Sequence, residues 1–196
     1  MNARSTLPLC SLLCAAFAFA SPARANGLAS YSDEDVHRPA DRTGLFAGLG
    51  GGVGLQIFGE NDFAYDVEGR LGYSFGPPLA VYLSGALDGS STSAGGTFRS
   101  VQLTVNLQYH LYTSPKVGLY ARGGIGLALA GPIGDKNAGL DGVGLAFSGG
   151  LGVEFRVAPD LFLAPEFFYR RATVTASNID GREVDAIGLS LSLFYY

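Results

Sequence analysis

Hydrophobic and polar residues alternate along most of this chain with a period of two. From Phe63 to Phe75 the odd positions read Phe63, Tyr65, Val67, Gly69, Leu71, Tyr73 and Phe75. The even positions read Ala64, Asp66, Glu68, Arg70, Gly72 and Ser74. Successive side chains of a strand point to opposite faces, so the stretch is a ribbon with one oily and one charged side. Seven other ribbons obey the same rule, over about 44–57, 79–88, 99–111, 117–130, 143–157, 161–173 and 185–196. In the last of them Ile187, Leu189, Leu191 and Leu193 oppose Gly188, Ser190, Ser192 and Phe194.

The connections alternate in kind. Gly76-Pro77-Pro78, Thr113-Ser114-Pro115-Lys116 and Ala158-Pro159-Asp160 make tight turns after the second, fourth and sixth ribbons. The remaining connections are rich in Gly, Asn, Asp and Ser, and the longest cover 89–98, 131–142 and 174–184. An even number of strands, with short turns at one end and longer loops at the other, predicts an all-β fold: an eight-stranded antiparallel up-and-down transmembrane β-barrel. The short turns are then periplasmic, and both ends of the barrel lie on that side.

Composition decides which face points outward. The polar faces are mostly Gly, Ala, Ser, Thr, Asn and Gln, and after residue 25 the chain has two lysines, Lys116 and Lys136. That is a poor coat for water. The inward charges balance: Asp66, Glu68, Glu154 and Glu166 against Arg70, Arg122, Arg156 and Arg170. Balance suits an enclosed interior, where an unpaired charge is costly, and predicts an ion-pair core in the lumen. The apolar rows end near the short turns in Tyr73, Phe75, Tyr109, Phe155 and Tyr195, the pattern of an aromatic girdle at a membrane interface. The competing arrangement is a secreted lipocalin-like soluble barrel with the oily faces inward, whose exterior would be glycine-rich and nearly free of lysine.

The first 25 residues read as a signal peptide: a basic start at Met1–Arg4, an apolar run from Leu7 to Ala20, and a small-x-small site at Ala23–Ala25. Residues 26–42 lack periodicity and read as a flexible periplasmic leader, leaving 43–196 for the barrel. Both cysteines, Cys10 and Cys14, fall in the signal peptide, so the mature barrel has no thiol chemistry. Without Arg4 and Arg24, 11 of the 13 basic residues remain against 17 acidic ones, a net charge of −6. Nucleic acid is a poor partner for such a chain.

On this architecture, and on the closing strand AIGLSLSLFYY, residues 43–196 resemble the small eight-stranded bacterial outer-membrane barrels, such as the OmpA transmembrane domain and the OmpX group. The resemblance implies the outer membrane as location, lipid and lipopolysaccharide as surroundings, the barrel-assembly machinery as partner during biogenesis, and a monomer. That family's last strand ends in an aromatic residue, usually Phe; here it is Tyr196, one residue out of phase with the apolar row ending at Tyr195.

Candidate chemistry is sparse. Lipid A deacylases of the same strand count hold a His and a Ser two residues apart on the lipid face, but position 112 is Tyr and His110 falls on the inward face. The only other histidine is His37, so no catalytic or metal set assembles, and no cofactor is expected. An interior of eight strands is one that side chains just fill, so the expected role is structural or surface-interacting, with a narrow or gated channel as the alternative. Arg99 and Arg171 break the lipid-facing rows. With a rise of about 2.4 Å per residue along the membrane normal, both reach the top of the apolar band, where lipopolysaccharide phosphates sit.

Overall fold

The computed structural model describes residues 42–57, 61–91, 97–133, 142–176 and 179–196. The predicted signal peptide lies outside them, and so does the leader apart from Arg42. Eight strands form one closed barrel: β1 (Thr43–Ile57), β2 (Asn61–Phe75), β3 (Leu79–Ser91), β4 (Thr97–Thr113), β5 (Val117–Ile133), β6 (Gly142–Ala158), β7 (Leu161–Ala176) and β8 (Ile179–Tyr195). Each pairs antiparallel with its neighbour in sequence, and β1 closes on β8. Closure gives every strand a partner on both sides.

The register gives the barrel its dimensions. One row runs Phe46, Gly72, Tyr82, Asn106, Gly124, Ser148, Arg170 and Ala186, then returns to β1 at Gln56. A circuit therefore climbs ten residues, from 46 to 56. Eight strands with that offset tilt by roughly 40° and place the backbone about 8 Å from the axis. Long side chains from facing walls meet in the middle of such a tube.

The alternation read from the sequence sets the faces. Leu49, Val67, Leu83, Val105, Ile125, Leu151, Phe167 and Leu191 all point outward and are exposed, whereas Glu68, Arg70, Arg122, Glu166 and Ser190 are buried inside. An exterior of this kind is a lipid-facing one, and the soluble alternative with its oily faces inward is excluded. Inside, Phe46, Ala80, Tyr82, Tyr120, Phe162, Ala164 and Phe194 pack together toward the short-turn end, with Tyr196 against them. Ala128, Ala130, Ala146, Ala172 and Val184 form a second apolar cluster toward the other end.

Glycines make room for the rings. A Cβ on Gly48 would lie 2.6 Å from the Phe194 ring, and one on Gly152 would run into Tyr120. Gly85, on the outer face, has nothing within 4 Å of that position.

The strands outrun their predicted ends where the chain turns polar. β7 continues to Ala176 and β8 begins at Ile179, so most of the predicted loop 174–184 is a paired hairpin. The expected loops 89–98 and 131–142 shrink likewise, since β3 reaches Ser91, β4 starts at Thr97, β5 reaches Ile133 and β6 starts at Gly142. Ladder hydrogen bonds need no apolar face, so the ribbons continue after their alternation stops. The short turns are tied locally: Leu79 N donates to the Gly76 carbonyl at 2.9 Å, and Val117 N to Ser114 Oγ at 3.0 Å.

Two substitutions at neighbouring positions of β8 test the assignment of faces. Leu191→Asp sets a charge against lipid, where a Lys or Arg at the midplane costs about 2–4 kcal/mol and an acid somewhat less. It should deplete the heat-modifiable folded form on gels of the membrane fraction, while Ser190→Asp leaves most of it; equal behaviour would reverse the faces. Gly152→Ala should lower the unfolding midpoint in detergent by an overpacking cost of about 1–3 kcal/mol, with Gly85→Ala near neutral.

Candidate functional site

The charged cluster in the lumen is built from inward positions of β2, β3, β5 and β7. Arg122 on β5 donates from Nη2 and Nε to Glu166 Oε1 at 2.6 and 2.8 Å, and from Nη2 to Glu68 Oε2 at 3.2 Å. Arg70 on β2 reaches Glu166 Oε1 and Oε2 at 3.1 and 3.2 Å, and Glu68 Oε2 at 3.0 Å. Arg170 on β7 donates to Glu68 Oε2 at 2.8 Å, Asp66 Oδ2 at 3.2 Å and Asp88 Oδ1 at 2.6 Å. Glu68 thus accepts three guanidinium groups on one oxygen. Tyr120 completes the shell of Glu166 with a 2.7 Å hydrogen bond.

Aromatic and amide side chains hold this cluster from both sides. The Arg70 guanidinium lies 5.2 Å from the Phe194 ring centre, and that of Arg170 lies 4.5 Å from Phe168. Such cation–π contacts keep a buried cation over the negative face of a ring. Asn106 accepts from Ser148 Oγ at 2.7 Å and donates to Thr104 Oγ1 and Ser84 Oγ at 2.8 and 2.9 Å. Asp88 also accepts from Ser100 Oγ and Gln102 Nε2 at 3.2 and 3.1 Å.

A second network surrounds Glu154 on β6, nearer the short turns. Glu154 accepts from Arg42 Nε at 3.1 Å, Gln108 Nε2 at 3.1 Å and the Tyr196 hydroxyl at 3.0 Å, and lies 3.2 Å from His110 Nε2.

Set beside the expected ion-pair core, the structure gathers Asp66, Glu68, Arg70, Arg122, Glu166 and Arg170 into one cluster and leaves two members out. Glu154 belongs to the separate network. Arg156 sits beside the turn that follows its strand and donates to the Pro159 carbonyl from Nε and Nη2 at 3.0 and 2.8 Å. Its inward phase was right, but two residues before the turn the guanidinium reaches a backbone carbonyl first. Asp88 joins the acids of the cluster instead, and the signal for it was present: it lies on the inward phase of β3, directly across the ladder from Asp66. Arg42, the residue before β1, is buried in the lumen over the Phe162 ring at 4.7 Å.

On the outer wall Tyr73, Phe75, Tyr109, Phe155 and Tyr195 all face outward near the short turns. Tyr112 joins them because a register shift between His110 and Tyr112 turns it outward. At the other end Arg99 is exposed, between Gly89 and Gly131 in the ladder. Arg171 has acidic company: it pairs with Glu183, and its Nε lies 4.0 Å from Asp185 Oδ1, which also accepts from the Tyr169 hydroxyl at 2.7 Å. Glu183 enters the outward row because β8 begins at Ile179, earlier than alternation alone predicted, whereas Asp185 already stood at the first outward position of the predicted ribbon.

His110 points into the lumen toward Glu154, and among the described residues no group of three or more His, Cys, Asp or Glu side chains is placed to hold a metal ion. No helix among those residues is long and apolar enough to cross a membrane, a test that does not bear on strands. With its closed antiparallel sheet, outward apolar belt and enclosed charges, the molecule is a transmembrane β-barrel. Its sequence matches the outer membrane protein beta-barrel domain over residues 10–194, and the chain belongs to that family. No curated protein matches it in sequence.

Among solved structures it is similar to the Neisserial surface protein A, with 13% identity over 78% of this chain and 97% of that one, at a TM-score of 0.68. It is also similar to the outer membrane enzyme PagL, with 12% identity over 74% of this chain and 97% of that one, at a TM-score of 0.53. At such identities the likeness is one of fold.

Removing one partner from the main cluster strands a buried charge, at a cost of about 3–5 kcal/mol. Arg122→Met should lower the denaturation midpoint in detergent accordingly, and adding Glu166→Gln should recover part of the loss. A single variant as stable as the parent would contradict the pairing.

Proposed function

We propose that this protein is a structural and surface-interacting barrel of the outer membrane, without enzymatic activity and with a lumen that does not conduct. The observation that carries this reading is the cluster of Arg70, Arg122 and Arg170 on Glu68 and Glu166, which spans the tube from β2 to β7 with every charged group buried. Opening a path through it would separate buried ion pairs, each several kcal/mol to break. The tight turns and the aromatic girdle at one end support a periplasmic setting for both ends of the barrel. The continuous oily exterior supports a monomer surrounded by lipid, inserted by the barrel-assembly machinery and with no role for nucleic acid.

Purified protein in planar bilayers should give no ion steps above background. Reproducible single-channel steps at moderate voltage would favour the narrow channel instead.

Lipopolysaccharide is the proposed contact at the long-loop end. Arg99, exposed and flanked by glycines, offers a planar forked donor suited to a lipid phosphate. Arg171 takes the lesser part, since Glu183 and Asp185 compete for its guanidinium. Native mass spectrometry should show weaker lipopolysaccharide retention for Arg99→Gln, with Arg171→Gln closer to the parent. Unchanged retention in the double variant would reject the contact.

A further inference from the structure

The β1–β8 seam is the one junction that joins strands from opposite ends of the barrel sequence, and its ladder stops early. Its lowest pair is Ala47↔Tyr195, while Thr43–Phe46 run on in register with β2, from Thr43↔Phe75 to Phe46↔Gly72. Tyr196 turns away from β1 in its backbone, donating N–H to the Asp160 carbonyl at 3.0 Å. At the short-turn end Thr43–Phe46 of β1 therefore run on past the last β8 pair, with no ladder bond across the seam.

Side chains span that gap. Phe46 stacks on Tyr196 at 5.2 Å with an interplanar angle of 26°, and meets Phe194 edge-on at 6.3 Å. Tyr196 in turn meets Phe162 edge-on at 5.3 Å. Above the rings, one polar group from each side of the seam reaches the same carboxylate across the lumen. Arg42, preceding β1, takes Glu154 Oε2, and Tyr196, following β8, takes Glu154 Oε1. Gly118 on β5 leaves room for the guanidinium, since a Cβ there would lie 3.1 Å from Arg42 Nη2. Gln108 and His110 on β4 hold Glu154 in place from the far wall.

We propose that Glu154 is the latch of the barrel seam: it binds Arg42 and Tyr196 at once, and so holds the ends of β1 and β8 together where their ladder has run out. The carboxylate suits the task because its two oxygens take the two sides of the seam separately. Charge-assisted hydrogen bonds between buried groups are strong and directional. Releasing either one frees a strand end and lets the lowest seam pairs fray.

Hydrogen–deuterium exchange of the folded protein in detergent micelles, read by mass spectrometry of short peptides, tests this. In Glu154→Gln and in Tyr196→Phe, amides of Ala47–Gly50 and Ser192–Tyr195 should exchange about tenfold faster or more, with those of β3 and β4 unchanged. Adding Arg42→Gln to Glu154→Gln should add little, because both act through one carboxylate. Tyr196→Phe removes a single hydroxyl and keeps the stacking, so it carries the measurement if Glu154→Gln does not fold. Seam exchange equal to the parent's in Tyr196→Phe, or acceleration spread evenly over all eight strands, would overturn the latch.

Discussion

Pairing of buried charge inside a narrow tube is the constraint on which the rest of this barrel depends. With lipid outside, whatever the inward faces carry must be satisfied within about 8 Å of the axis. Three guanidinium groups on Glu68 and two on Glu166 achieve this, because each planar fork serves at least two carboxylates, with partners on different strands. A lysine would bring a point charge and fewer directed bonds. Among the described residues every cation in the cluster is accordingly arginine. The same crowding explains the glycines opposite the large rings, where Tyr120 and Phe194 take up the space that side chains on Gly152 and Gly48 would fill.

The fold was legible in the sequence because a period of two leaves little freedom once lipid is one of the solvents. Leu191 and Ser190 differ by one position and face opposite media, and that phase could be read from AIGLSLSLFYY alone. What escaped lies where periodicity carries no information. A single residue such as Arg42 has no pattern, so nothing local distinguished it from the polar segment before it. Thr173–Ala176 and Ile179–Glu183 alternate poorly, yet they pair, because a ladder bonds through the backbone whatever its side chains are. Asp88 is a different case: it lies on the inward phase of β3, so alternation alone could have placed it in the lumen.

The aromatic layer and the ion-pair layer divide the work of filling the tube. Near the short turns Phe46, Tyr82, Phe162 and Phe194 exclude water with area alone. Farther along, Arg70 lies over the Tyr82 and Phe194 rings and turns toward the acids. The charges are thereby roofed on one side by apolar surface. Their mutual attraction is stronger there than it would be in water.

The ten-residue climb of the register has a consequence for how such a sequence can change. Because the climb is an even number, a row that leaves β1 on an inward residue returns to β1 on an inward residue. An odd climb would bring a lipid-facing side chain into the lumen at the seam. Inserting or deleting one residue in the middle of any strand breaks this parity for every row that crosses it. Near the strand ends the fault is absorbed, and the three register irregularities lie there, at His110/Tyr112, Arg156/Ala158 and Val174/Ala176. The rims of this barrel can therefore take up a residue more or less, while the membrane-crossing register holds its phase only for changes in steps of two.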